Sequence, residues 1–255
     1  MIILIDIGNT NIYSGIYDEN KLVAEFRTHT DLNKSSDEFF NVFKSLLFTH
    51  KIDINNIDGG IISSVVPSLT LIVKKAIEDL ISKEIKVVGK KLKSGLSIKI
   101  DNPSELGSDL VCDCVGGITK YGFPLIIADL GTANKVLVVD NNGNFVGCTI
   151  SPGIRIGMKS LTSNAAQLMD VSLNAPSKVI GKNSIDSLNS GATYGTSCML
   201  EGLTTKIEKE LGYSCRKVLT GGNAILIKEI ISEEFVYDQS LILEGLFQIY
   251  NKNRQ

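Results

Sequence analysis

Ile5-Asp6-Ile7-Gly8-Asn9-Thr10-Asn11 returns in the second half of the chain as Ala128-Asp129-Leu130-Gly131-Thr132-Ala133-Asn134. Each copy follows an apolar run, Met1 to Ile5 and Leu125 to Ala128. Each leads into a second β-like run closed by acidic turn residues, Asp18-Glu19-Asn20 and Asp140-Asn141-Asn142-Gly143. An Asp-x-Gly in that setting belongs at a hairpin turn. Glycine lets the backbone approach a ligand closely, successive N–H groups form an anion-holding nest, and the threonine hydroxyl adds a donor, so such a turn suits phosphate. Aspartate repels phosphate unless a cation lies between them. A single copy is ordinary turn chemistry. Two copies in equivalent positions imply a duplicated, phosphate-handling fold, with Asp6 and Asp129 facing one another.

With 255 residues there is room for two domains of roughly 120 residues, each large enough for a core without disulfides or metals. The duplication divides the chain at 1–115 and 116–255. Hydrophobic residues make up 43%, charged residues 21%, and mean hydropathy is +0.14, an ordinary globular composition. The net charge of −2 comes without a basic stripe interleaved with aromatics, which argues against a nucleic-acid surface. The apolar start is interrupted by Asp6 and lacks a basic leader, and no apolar span is long enough for a membrane helix, so a cytoplasmic protein without a membrane partner is expected. Cys112, Cys114, Cys148, Cys198 and Cys215 are not grouped with His29 or His50 in a metal-like pattern and read as buried thiols.

Strand patterns cover Ile2 to Asp6, Asn11 to Asp18 and Lys21 to Thr28. Ser35 offers an N-cap to a helix ending near His50, with Phe39, Phe40, Phe43, Leu46 and Leu47 on one face. A strand at 60–63, a helix at 69–81 and a strand at 84–88 complete the first half. Residues 89–104 are turn-rich, and a helix from Ser104 to about Thr119 follows. The second half repeats the meander at 124–130, 134–140 and 144–150. Helices are expected at 155–170, 184–211, 224–231 and 241–251, with a strand at 216–219. The fold class is α/β, two ribonuclease-H-like halves, each with a mixed sheet flanked by helices.

Two Asp-x-Gly turns and the late Thr220-Gly221-Gly222 resemble the sugar kinase, heat-shock-70 and actin superfamily. Within it, the second turn as Asp129-Leu130-Gly131-Thr132-Ala133 and five further stretches narrow the likeness to actin-like ATPase halves of one kind: Asn102-Pro103-Ser104-Glu105-Leu106-Gly107-Ser108-Asp109, Ser151-Pro152-Gly153-Ile154, Ile180-Gly181-Lys182-Asn183-Ser184, Ser190-Gly191 and Tyr194-Gly195. Together they resemble the type III pantothenate kinase family over nearly the whole chain. The resemblance implies transfer of the ATP γ-phosphate to the primary hydroxyl of pantothenate, the entry step to coenzyme A. It implies Asp6 as the holder of hydrated Mg²⁺, and Gly8, Asn9, Thr10, Asn11, Gly131 and Thr132 as phosphate donors. Asp129 matches a ligand for a monovalent cation, K⁺ or NH₄⁺. Asp109 matches the general base, and Gly221 and Gly222 make room for the nucleoside. Gly107, Ser108 and Ser184 fall where the family meets substrate. A homodimer is implied, its small-residue face around Gly191 and Gly195.

Several positions depart from the family's pattern. Leu110 replaces an Arg, Ile100 a Tyr, Gly147-Cys148 a Gly-Gly pair, and Asn134, Lys135, Val136 and Leu137 replace Thr-Thr-Phe-Asp. These changes fall at the implied substrate site, where Lys135 is the nearest cation for the pantothenate carboxylate. They leave open a nucleotide-binding regulator of little activity, or a kinase for a different small alcohol. A ribonuclease-H-like nuclease needs several carboxylates around two metals, and Asp6 has no obvious acidic companions within its half.

Overall fold

The computed structural model describes residues 1–89, 91–165 and 171–254. Its first unit gathers Met1–Leu96, Ser104–Thr119 and Leu241–Gln255; the second gathers Ser97–Pro103 and Lys120–Ser240. This differs from the expected division at 115 and 116, chiefly because the C-terminal helix belongs to the first unit.

The first unit begins with an antiparallel meander, β1 (Ile2–Ile7), β2 (Asn11–Asp18) and β3 (Lys21–His29). Helix α1 (Ser36–Thr49), β4 (Gly59–Ser64), α2 (Pro67–Ile81) and β5 (Ile85–Val87) follow. The sheet order is β3-β2-β1-β4-β5, with β4 parallel to β1 and β5 parallel to β4. β1 is apolar at nearly every position because both faces of a central strand are covered. Ser35 and Glu38 close a reciprocal capping box on α1, which buries Phe39, Phe43 and Leu47 at four-residue spacing. Pro67 starts α2, whose Leu69, Val73 and Ile77 share the core with α1 and with Ile3, Ile5 and Ile7.

The second unit opens with β6 (Ser97–Ile98), two residues from the turn-rich stretch that pair with a later strand. Helix α3 (Ser108–Tyr121) belongs mostly to the first unit. The expected start at Ser104 is instead a 3₁₀ turn over Pro103–Glu105, and Gly107 separates it from the helix proper. The second meander is β7 (Leu125–Leu130), β8 (Ala133–Val139) and β9 (Asn144–Pro152). Helices α4 (Ile154–Asn164) and α5 (Ser184–Leu211) precede β10 (Arg216–Thr220) and β11 (Phe235–Tyr237). The last part of the helix expected over 155–170 lies outside the described residues.

The second sheet runs β11-β10-β7-β8-β9-β6, with β10 parallel to β7 and β11 parallel to β10. Apart from β6 this repeats the first sheet strand for strand, so the duplication read from the two turns holds at the level of topology. The helix expected at 224–231 is a 3₁₀ turn at Ala224–Leu226 and further turns. Its backbone bonds mix three- and four-residue spans, and Ala224, Ile227 and Ile231 still face inward without a regular helix.

α6 (Leu241–Lys252) lies on β1, β2 and β4 of the first unit. Phe247 stacks on Tyr17 with ring centroids 4.6 Å apart. Against α3 it packs backbone to backbone: a Cβ on Gly245 would stand 1.8 Å from the Cys112 carbonyl oxygen, and one on Gly116 would stand 2.3 Å from that of Leu241. These two glycines let α3 sit close to the sheet, and α3 carries Asp109.

Candidate active site

In the first unit the sheet presents Asp6 near the end of β1, opposite Ser63 on parallel β4. One carboxylate oxygen of Asp6, Oδ1, is shielded from solvent. The Gly8–Asn11 turn that follows is closed by the Gly8 N–H donating to the Asn11 carbonyl at 3.1 Å. Thr30 braces it, its hydroxyl donating to the Gly8 carbonyl at 2.7 Å and its N–H to that of Thr10 at 3.0 Å. Asn9, Thr10 and Asn11 are exposed on a turn held from behind.

Ser108 fastens the start of α3 to the end of β4. Its hydroxyl lies 3.0 Å from that of Ser63, donates to the Ser64 carbonyl at 3.0 Å and accepts from the Ser64 N–H at 3.1 Å. The hydroxyl expected to meet substrate thus holds the helix in place. Asp109 occupies the first helical turn, where the N-terminal dipole favours a carboxylate. A Cβ on Gly107 would be 2.5 Å from Asp109 Oδ1, so glycine at 107 is what allows that carboxylate to fold back over the chain. One turn on, the fully buried Cys112 thiol is pushed well above its ordinary range by burial and then by the charges of Asp6, Asp113 and Asp109, with a hydrogen bond to Ser63 opposing. β1 and α3 therefore bring Asp6 and Asp109 into one neighbourhood. Ser63 and the buried Asp113 belong to it as well, and sequence reasoning missed both. Among the described residues no group of three or more His, Cys, Asp or Glu is arranged to hold a metal ion, so the carboxylate cluster a two-metal nuclease needs is not found among them. Mg²⁺ needs less, since it keeps several waters and binds through one or two carboxylates plus phosphate oxygens. Asp6, with one carboxylate oxygen turned away from solvent, fits that demand.

Equivalent positions in the second unit are filled differently. Asp129, at the end of β7, lies opposite Thr220 on parallel β10 and opposite Lys135 on antiparallel β8. Lys135 Nζ stands 2.6 Å from Asp129 Oδ2, both side chains largely buried. The Gly131–Thr132 turn is closed by the Gly131 N–H donating to the Ala133 carbonyl at 3.1 Å. Asn223 ties that turn to the segment after β10: its N–H donates to the Leu130 carbonyl and its side-chain amide to that of Gly131, both at 2.8 Å. Gly221 has φ +92, and a Cβ there would be 2.4 Å from Asp129 Oδ1, whereas Gly222 faces open space.

The expected substrate residues fall in both units, Leu110 with Gly107 and Ser108 in the first and Ile100, Lys135 and Ser184 in the second. Leu110 is packed inside, 7% exposed, and presents no polar or open surface. Lys135, expected to meet a substrate carboxylate, has its charge on Asp129 because the β7–β8 register sets the two side by side. Ile100 is half-buried in the bend after β6. Ser184 and the buried Asn134 both line a groove of about 980 Å³ between α4 and α5. Gly191 and Gly195 line the same groove, and among the described residues nothing lies within 4 Å of a Cβ built on either.

Solved structures share this arrangement. The activator of 2-hydroxyisocaproyl-CoA dehydratase from Clostridium difficile, solved with bound ADPNP, superimposes with a TM-score of 0.57 at 15% identity over 97% of this chain and 92% of its own. A ROK hexokinase from Thermus thermophilus gives 0.52 at 11% identity over 98% of each. At such identities the likeness defines the fold. Sequence comparison goes further: a type III pantothenate kinase of Bacillus cytotoxicus is 36% identical over 253 residues, 99% of this chain and 97% of its own, and the family model for type III pantothenate kinase matches residues 2–206. The chain belongs to the type III pantothenate kinase family.

Proposed function

We propose that this protein transfers the γ-phosphate of ATP to the primary hydroxyl of pantothenate, with Asp109 as the general base and Asp6 as the carboxylate that receives hydrated Mg²⁺. The observation that carries the reading is the link between the two carboxylates: Asp6 on β1 lies across the ladder from Ser63, whose hydroxyl meets that of Ser108, the residue before Asp109, behind a braced glycine turn. Phosphoryl transfer asks mainly for positioning and for stabilisation of spread negative charge. In each unit a glycine turn, Gly8–Asn11 or Gly131–Thr132, has N–H and side-chain donors beyond the glycine N–H that closes it, and such donors suit phosphate oxygens; in the second unit Gly221 and Gly222 suit a nucleoside. Asp109 takes the alcohol's proton as the hydroxyl attacks. Bound Mg²⁺ neutralises phosphate charge and orients the transferred group.

Family membership also supports a homodimer. Gly191 and Gly195 give α5 a face on which no described residue lies within 4 Å of a built Cβ, and a second copy suits it. Ser184, which lines the same groove, is the residue such a partner would meet near the substrate.

ADP release coupled to a chromogenic readout, run with pantothenate and a panel of small hydroxyl acceptors, tests the reading. Pantothenate-dependent release lost in Asp109→Asn is expected. ATP binding without turnover of any acceptor would make the protein a nucleotide-binding regulator, and turnover confined to another alcohol would reassign the substrate.

A further inference from the structure

Asp129 is buried, its side chain 13% exposed, and its carboxylate is boxed in by backbone. Gly221 closes on Oδ1 so tightly that no side chain fits there, and a Cβ on Gly131 would lie 3.9 Å from the same oxygen. Oδ2 is taken by the Lys135 ammonium at 2.6 Å, delivered by the residue directly across the β7–β8 ladder. An ammonium group carries the charge of K⁺ and is close to it in size, and Lys presents it as a compact point charge on a flexible stem. The first unit is built otherwise: the residue across the ladder from Asp6 is Tyr13, whose hydroxyl is hydrogen-bonded to Glu25.

We propose that Lys135 is the resident cation of the Asp129 site, so that this protein handles nucleotide without a free monovalent cation. The inference rests on the kinase reading above, in which Asp129 occupies the place of a ligand for K⁺ or NH₄⁺. The residues present do not fit that ion. A second unit charge 4 Å from Nζ would be repelled by an amount that weakens its binding on the order of a thousandfold at the effective dielectric of a protein surface. Lys135 spends its charge inside the protein, and the pantothenate carboxylate is left to other groups.

Melting temperature and ATP affinity by calorimetry are measured at constant ionic strength in choline chloride, KCl and NH₄Cl for the wild type, Lys135→Thr and Lys135→Met. The wild type is expected to change less than about twofold in ATP affinity between the three salts, and its melting temperature not to respond to K⁺ specifically. Lys135→Thr is expected to lose about tenfold or more in choline and to recover in KCl or NH₄Cl, with K⁺ raising its melting temperature even without nucleotide. An ATP affinity in the wild type that rises tenfold on replacing choline with K⁺ overturns the proposal, and that arm needs no variant to fold. So does a folded Lys135→Thr or Lys135→Met indifferent to K⁺ by both measurements. Failure of the kinase reading looks different: no acceptor turned over, while the salt responses of wild type and variants still differ as stated.

Discussion

Asp109 is oriented by its neighbours before any ligand arrives. Gly107 lets its carboxylate lie back over the chain, Ser108 fastens the helix start to β4, and α3 presents it beside Asp6. Asp109→Asn is therefore expected to leave MgATP binding within a few-fold and to cut turnover by roughly 10²–10⁴, the usual worth of a general base, whereas Asp6→Asn abolishes Mg²⁺-dependent nucleotide binding. Calorimetry with and without Mg²⁺ beside steady-state kinetics separates the two, and equal loss of nucleotide affinity in both would refute the roles. Cys112 gives a second check. Its thiol is held protonated by burial and by the surrounding carboxylates, whereas Cys148 and Cys198 are exposed and not buried as the sequence suggested, so at pH 8 iodoacetamide should label those two in the native protein and reach Cys112 only after denaturation. Prompt native labelling of Cys112, read by mass spectrometry, would show that α3 does not pack as described. Leu110 offers a third. A guanidinium in that buried position has to be desolvated, so Leu110→Arg is expected to lower stability by about 2 kcal/mol or more in urea unfolding, without the gain in turnover that the family's Arg suggests. Asp6 and Asp109 were legible in the sequence because each sits in a local motif. Ser63 was not, because only the β1–β4 register sets it beside Asp6. The Lys135 pairing was legible in principle, since closing the hairpin at Gly131-Thr132 already places residue 135 across from 129.

At the scale of elements, sequence reading did best where one stretch contains its own reason to fold. α1 has its capping box and a four-residue apolar period, α5 has Asn183 at one end and Gly212 in left-handed conformation at the other, and both were expected at close to their observed limits. It did worst where a partner decides. β6 and β11 are two and three residues long and exist because β9 and β10 offer them a ladder. The 224–231 segment has the apolar spacing of a helix yet folds as successive turns. The α3–α6 contact belongs to the same category, since nothing in either helix alone shows that Gly116 and Gly245 meet. Gly245→Ala is expected to cost about 1–3 kcal/mol, because its Cβ collides with backbone, which cannot swing away as a side chain can. Gly202→Ala, exposed on α5 with nothing within 4 Å, should instead stabilise by about 0.5–1 kcal/mol through helix propensity. Urea unfolding midpoints of the two variants settle the sign of each, and a neutral Gly245→Ala would mean that the helices are further apart.

For the whole molecule, the duplicated order of the two sheets was legible from the paired Asp-x-Gly turns, and the allocation of the last helix was not. A chain divided by its internal repeat assigns residues 116–255 to the second half, but α6 is amphipathic and its apolar face has to find cover, a choice no local pattern encodes. It buries Leu241, Leu243, Leu246, Phe247, Ile249 and Tyr250 within the first unit. At about 1.5–3 kcal/mol for each large apolar side chain, these six contribute roughly 9–18 kcal/mol, as much as the 5–15 kcal/mol net stability of a typical domain. A chain ending at Ser240 is therefore expected to leave the first unit without a native fold, losing its near-ultraviolet dichroism and exposing the Cys112 thiol to alkylation, while Mg²⁺-dependent nucleotide binding disappears with the α3 support. The measurement that counts is hydrogen exchange on the truncated chain: protection retained at full length's level in β1 and β4 would show that α6 merely covers the sheet. Loss of protection there would establish that the last twelve-residue helix is a structural part of the site that begins at Asp6.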